Sequence, residues 1–171
     1  MNDLLTSSTL ATAAETITAL REGAQSVGTA ESLTAGLCAA ALTTISGASA
    51  VVRGGLIVYA TPLKASLAGV PEDVLRQHGP VSEPTARYLG IGASERTGSD
   101  WGVGLTGVAG PDPQDGHPPG TVYVAVHGAR STVVERLRCE GDRREIRDQA
   151  VAGALQLLLR RLREHHGPVL R

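Results

Sequence analysis

Between residues 10 and 162 the apolar pattern switches repeatedly between helical and strand spacing, and this alternation limits the fold more than any other property of the chain. Residues 1–9 are polar and read as a frayed segment. Leu10, Ala13, Ala14, Ile17 and Leu20 then fall at helical spacing, and Gly23 supplies a stop. Residues 26–30 read as a short buried strand. Leu33, Leu37, Cys38, Ala41, Leu42 and Ile45 mark a second helix closed by Ser46-Gly47. The β-rich run 54–60 lacks clean alternation, which predicts a strand covered on both faces. Thr61-Pro62 opens a turn or short helix carrying Lys64, and Pro71 opens another with Glu72 and Asp73 in its first turn. Ser82 caps a helix over 83–97 that Gly98 ends. Strands are expected at 101–106, 121–127 and 132–138, the last two forming a hairpin around Gly128-Ala129-Arg130. Asp142 and Glu145 make a capping box for the final helix, whose apolar stripe is Ile146, Ala150, Ala154, Leu157, Leu158 and Leu162. Helices that interleave with strands before a hairpin predict one three-layer α/β/α domain over residues 1–171, with a mixed, mostly parallel sheet.

Composition narrows the functions such a domain can serve. At 171 residues with net charge -1, the chain offers no basic field for nucleic acid and no single-sign patch for a membrane surface. Aromatics are 2% and Phe is absent, so the core is built from Ala, Val, Leu and Ile, and stacking platforms for single strands are missing. Cys38 and Cys139 show no C-x-x-C spacing and read as reduced core residues of a cytoplasmic protein. The five histidines form no H-x-x-x-H or H-E-x-x-H pattern, so no metal is expected. No apolar run reaches membrane-spanning length.

Two residues stand out chemically. Of sixteen basic residues, only Lys64 is not Arg. Only Lys can lose its proton inside a protein and act as a base, so a chain that otherwise prefers Arg keeps Lys64 either for chemistry or by chance. Ser32 lies in Thr29-Ala-Glu31-Ser32-Leu-Thr34-Ala-Gly36, where a strand gives way to an Ala-rich helical run, which places it at or beside a helix N-terminus. It is either a plain N-cap or a nucleophile. A desolvated Lys is the neighbour a Ser hydroxyl needs to attack.

Other motifs are less informative. Gly102-Val-Gly104-Leu-Thr-Gly107 matches G-x-G-x-x-G, but the glycines fall inside a predicted strand and Gly110-Pro111-Asp-Pro113 cannot open a helix, so a dinucleotide site is rejected. What remains is a Gly- and Pro-rich loop at a strand end, either a plain loop or a ligand loop presenting the Thr106 hydroxyl and the Gly107 and Gly110 amides. Tyr59 and Lys64, five apart across a strand end, do not fit a Tyr-Lys oxidoreductase pair on one helix face. Arg143 and Arg144 open the last helix against its dipole, as either an anion site or a solvated pair.

Ala30-Glu31-Ser32-x-Thr34-x-Gly36, Gly47-x-Ser49, Gly54-Gly55-x-x-x-Tyr59-x-x-x-x-Lys64, His78-Gly79-x-Val81-Ser82, Thr106-Gly107-x-Ala109-Gly110-Pro111, Gly120-Thr121-Val122 and Gly141-Asp142-Arg143 together resemble the CinA C-terminal domain family, the nicotinamide mononucleotide deamidases. The resemblance spans nearly the whole chain in order. It implies a metal-free, cofactor-free hydrolysis of the nucleotide's carboxamide to the acid and ammonia in pyridine-nucleotide salvage. It implies Ser32 as nucleophile, Lys64 as its base and Tyr59 orienting the pair. Glu31, Thr34, Gly36, Ser49, Thr61, Thr106 and Gly107 are the expected substrate contacts, and Arg143 serves the phosphate or helps fix the site. A homo-oligomer, a dimer first, is the expected assembly. Three departures from the family pattern are Ala35 in place of Gly, Thr61 in place of Asn, and a Pro-rich Asp115-Gly116-His117 loop in place of a glycine run. A Thr hydroxyl cannot replace both the donor and the acceptor of an amide. Two rival readings stand beside the deamidase: a non-catalytic nucleotide-binding module, and an amidase for another small carboxamide.

Overall fold

The computed structural model describes residues 4–128 and 131–166. Its elements are α1 (Ser7–Glu22), β1 (Val27–Glu31), α2 (Leu37–Thr43), a 3-10 turn (Ala48–Ala50), β2 (Val52–Ile57), α3 (Thr61–Ser66), α4 (Glu72–His78), α5 (Glu83–Thr97), β3 (Trp101–Gly107), β4 (Thr121–Gly128), β5 (Ser131–Arg138) and α6 (Arg143–His166). One sheet runs in the order β2-β1-β3-β4-β5, with β2-β1-β3 parallel and β3-β4-β5 antiparallel. The pairings divide equally, yet β5 returns to the direction of β3, so all strands but β4 point the same way. Helices α1, α2 and α6 pack together on one face and α5 covers the other, giving the three-layer domain.

Short-range signals account for most element ends. The Ser82 hydroxyl accepts the Thr85 N–H at 3.3 Å and Gly98 closes α5 at φ +64°. Before α6 the predicted capping box is complete: the Glu145 N–H donates to Asp142 Oδ1 at 2.8 Å, and the Asp142 N–H to Glu145 Oε2 at 2.7 Å. Cys38 and Cys139 are free and buried. The core is aliphatic, with Ile17, Leu20, Leu42, Leu155, Leu158 and Leu162 almost wholly covered.

The glycine pattern in β3 has a packing cause. A Cβ on Gly104 would meet the Gly90 amide nitrogen at 2.5 Å and the Ala86 carbonyl at 2.7 Å, so α5 lies directly on the strand. Gly102 and Gly104 of the spacing that resembles a dinucleotide fingerprint thus serve close helix–sheet contact, with Gly90 as their counterpart on α5.

Three local expectations are corrected. The first helix begins at Ser7, capped by Thr6, so residues 7–9 are its first turn and Thr9 is buried; residues 1–3 lie outside the described residues. Helix α2 begins at Leu37, because residues 32–36 form a turn with positive φ at Ala35 and Gly36. Strand β2 spans Val52–Ile57 and alternates between half-buried and exposed residues at the sheet edge, where no strand pairs its outer side among the described residues. Its uneven sequence reflects Gly54 and Gly55, not burial on both faces. Residues 129–130 at the expected hairpin tip lie outside the described residues.

Candidate active site

The C-terminal ends of parallel strands are where open α/β sheets bind ligands, and there β1 and β3 end side by side. Ser32 follows β1 directly. Its N–H donates to the Leu105 carbonyl at 2.9 Å, which ties the residue to β3. Lys64 comes from α3, of which it is the only buried residue. A cavity of about 90 Å³ between these elements is lined by Ser32, Tyr59, Lys64, Thr106, Gly107 and Arg143, together with Leu33, Pro80, Val81 and the loop residues Val108, Ala109, Gly110, Asp112 and Gln114.

Lys64 is 1% exposed. Its Nζ donates to Ser32 Oγ at 3.0 Å, to the Val58 carbonyl at 2.9 Å and to the Tyr59 carbonyl at 3.2 Å. Burial lowers its pKa to about 8, against a smaller opposing pull from the negative charge of Asp115. In the neutral amine, two N–H bonds can stay on the carbonyls while the lone pair turns to the Ser32 hydroxyl, which then donates. The two carbonyls therefore leave the Lys64 lone pair to one side-chain oxygen, Ser32 Oγ.

Tyr59 holds Lys64 through its backbone carbonyl, while its side chain is half-exposed and serves the mouth. There Arg143 Nη2 donates to the Tyr59 hydroxyl at 2.9 Å and Nη1 to the Gly110 carbonyl at 2.6 Å. Thr106 lines the cavity, but its hydroxyl donates to the Pro80 carbonyl at 2.6 Å, pinning the segment before α5. Gly107 is required by packing, since a Cβ there would meet the Thr121 carbonyl at 2.6 Å. Val108 N–H pairs with Thr121 on β4, and adjacent amides in a strand alternate sides, so Gly107 N–H faces the β1 side, beyond the last residue of β1. Among the described residues, the Leu33 N–H has no backbone acceptor.

Five expected contacts lie outside this cavity. Glu31 is unexposed and accepts from Thr29 Oγ1 and from the N–H groups of Gly36, Cys38 and Ala39 at 2.9 to 3.0 Å. It caps α2 from the strand, a task the sequence suggested for Ser32. Gly36 supplies the left-handed turn that this cap requires, at φ +95°. Thr34 is unexposed, and its hydroxyl has no hydrogen-bond partner among the described residues. Ser49 is exposed on the 3-10 turn before β2, at the opposite end of the sheet from the cavity. Thr61 opens α3 and lines a separate groove of about 640 Å³ with Pro62, Ala65, Glu72 and Leu75. Conversely, the sequence did not single out Asp112 and Gln114 at the rim, or Arg147, which grips the turn after Ser32. The four-residue step from Arg143 to Arg147 along one helix face was the available signal for the last.

Among the described residues no helix is long and apolar enough to cross a membrane. The profile of the CinA C-terminal domain matches residues 9–162. A CinA-like protein of Frankia casuarinae is 47% identical over 133 residues, which are 78% of this chain and 31% of that protein. A CinA-like protein of Anaeromyxobacter dehalogenans is 45% identical over 138 residues, 80% of this chain and 34% of its own length. The chain thus spans about a third of the length of these curated relatives. Among solved structures, the competence/damage inducible protein CihA of Agrobacterium tumefaciens superposes with a TM-score of 0.88 at 34% identity, covering 92% of this chain and 98% of that one. A CinA superfamily protein of Klebsiella pneumoniae also gives 0.88, at 29% identity over 93% and 99% of the two chains. With its profile, its relatives and its fold in agreement, the chain belongs to the CinA C-terminal domain family.

Proposed function

We propose that this chain is an amidohydrolase that converts nicotinamide mononucleotide to nicotinate mononucleotide and ammonia through an acyl-enzyme on Ser32. The observation that carries the reading is the 3.0 Å contact between Ser32 Oγ and the Nζ of a buried Lys64 whose pKa is lowered to about 8. Neutral Lys64 takes the hydroxyl proton as Oγ attacks the carboxamide carbon. The N–H groups of Leu33 and Gly107 are the candidates to receive the charge that develops on the carbonyl oxygen. The ammonium of Lys64 returns the proton to the departing nitrogen, so the amide leaves as ammonia. Water then attacks the ester with Lys64 again as base, and Ser32 leaves with the proton.

The surroundings fit the rest of such a ligand. At about 90 Å³ the cavity is smaller than most small-molecule pockets and takes the reacting carboxamide end, with the remainder towards the mouth. Arg143 at the mouth suits a phosphate, and Asp112 at the rim supplies negative charge that suits a cationic pyridinium ring. Thr61, one of the departures behind the binding-module reading, lies away from the cavity. The altered loop does reach it through Asp112 and Gln114, so this departure sits where the carboxamide's substituents would lie. Assembly as a homo-oligomer, a dimer first, belongs to the same proposal. The open edge of β2 and the exposed Ile57, Leu63 and Leu67 support it, and light scattering in solution tests it.

The deciding experiment is ammonia release from nicotinamide mononucleotide by wild type and by Ser32→Ala. Wild type should turn over and the variant should not, with unchanged circular dichroism. Ammonia release by the variant near the wild-type rate would remove Ser32 as nucleophile. Binding without turnover in wild type would favour the non-catalytic module.

A further inference from the structure

Arg147 lies on α6, one helical turn beyond Arg143, and does not line the cavity. Its Nε donates to the Leu33 carbonyl at 3.0 Å and its Nη2 to the Thr34 carbonyl at 2.9 Å. One rigid guanidinium edge therefore holds two successive peptide groups of the turn that follows Ser32. That turn is not a low-energy one: Ala35 sits at φ +49° and Gly36 at φ +95°, and a residue with a Cβ pays for the left-handed region. From the other end, Glu31 takes the N–H groups of Gly36, Cys38 and Ala39. An anion thus binds the amides at the end of the turn and a cation binds the carbonyls at its start.

Peptide planarity gives the grip a consequence for the site. In a trans peptide the N–H points opposite to the C=O. With the Leu33 carbonyl on Arg147, the Thr34 N–H faces away from α6. With the Ser32 carbonyl accepting the Ala35 N–H at 3.1 Å, the Leu33 N–H is turned away from Ala35. The backbone on which Ser32 Oγ and the Leu33 amide are mounted is set by these few bonds, and Arg147 supplies two of them across a sequence separation of more than a hundred residues.

We infer that Arg147 is a positioning residue: it holds the Ser32 turn so that the nucleophile and its neighbouring amide keep the geometry of attack, without touching substrate. This rests on the proposed Ser-Lys chemistry. Ile146 and Ala150 beside it are buried, so α6 is a fixed base for the grip. The guanidinium acts by its fork, which a Lys point charge does not reproduce.

The test compares Arg147→Met, which keeps much of the stem, and Arg147→Lys with wild type. Displacing a reacting group by about 1 Å costs up to about 10²-fold, so kcat for nicotinamide mononucleotide should fall by about ten- to hundredfold in both variants, with KM within about twofold. Millimolar guanidinium should restore part of the Arg147→Met rate. Hydrogen exchange should rise over residues 33–39 and not in β3 or β4, and labelling of Ser32 by a small fluorophosphonate should slow in parallel with kcat. An Arg147→Met enzyme with wild-type kcat, or unchanged exchange over 33–39, overturns the inference. So does a rate loss that accompanies raised exchange throughout the sheet, since that marks general destabilisation. If wild type releases no ammonia, the functional reading fails on its own, and Arg147 is judged by labelling and exchange alone. If Ser32 also resists labelling, exchange over 33–39 decides.

Discussion

Glu31 and Lys64 are both buried beside Ser32, and they are held by opposite kinds of partner. Every bond to Glu31 comes from a donor in the frame, namely Thr29 Oγ1 and the N–H groups of Gly36, Cys38 and Ala39. Lys64 meets only acceptors: the carbonyls of Val58 and Tyr59, and the hydroxyl of Ser32. The difference lies in what the partners can do next. Backbone amides at a helix start offer no chemistry, so Glu31 spends its charge on holding the turn. One partner of Lys64 is an ionisable hydroxyl facing a cavity, and burial has moved the lysine pKa to about 8, where the free amine is accessible. Burial of a charge therefore does not mark a catalytic group by itself; a reactive partner and access to a ligand do.

Substitutions at the two positions should separate in kind. The largest effect is expected from Lys64→Arg, which keeps a cation but cannot accept the Ser32 proton; kcat should fall by about 10⁴-fold or more, as for loss of a nucleophile's base. Lys64→Met, closer in volume, should be equally inactive, and circular dichroism checks that both fold. Substantial turnover by Lys64→Arg would reduce Lys64 to a binding cation. Glu31→Gln comes next and should act on stability: an amide nitrogen facing N–H donors leaves buried groups unpaired, at a cost of about 2 to 4 kcal/mol in urea unfolding. A raised KM with unchanged stability would instead return Glu31 to the substrate contacts expected from the sequence. The smallest effect sharpens the Lys64 side. In the proposed mechanism the free amine is the active form, so kcat/KM should rise with pH through a limb near 8. The charge of Asp115 favours the ammonium and raises that pKa, so Asp115→Asn should move the limb to lower pH. A limb that stays in place, or moves up, shows that Asp115 does not act on Lys64.

Much of this was legible in the chain itself. Periodicity and local chemistry placed α5, β3, β4, β5 and the capping box of α6, because each depends on residues within one or two turns of one another. The singularity of Lys64 among the basic residues, and a Ser at the end of β1, were visible for the same reason: residue identity is a local fact. The start of α2 was not legible. A Ser before an apolar run looks like an N-cap, and the true cap, Glu31, reaches forward over a left-handed turn that propensity does not foresee.

The remaining decisions belonged to tertiary structure. Sequence alone determined a layered α/β chain with a Ser after β1 and a single Lys as candidates for nucleophile and base. It did not determine that α3 would bring Lys64 within 3.0 Å of Ser32, that Tyr59 would hold it by a main-chain carbonyl, or that Thr61 and Ser49 would face other surfaces. Nor did it show Arg147 reaching back to Leu33 and Thr34. Such contacts join residues far apart in the chain, and their geometry depends on where the sheet order and the packing of α6 set the backbone. A motif names the groups; the sheet supplies the distance to Ser32 and the burial that lowers the pKa of Lys64.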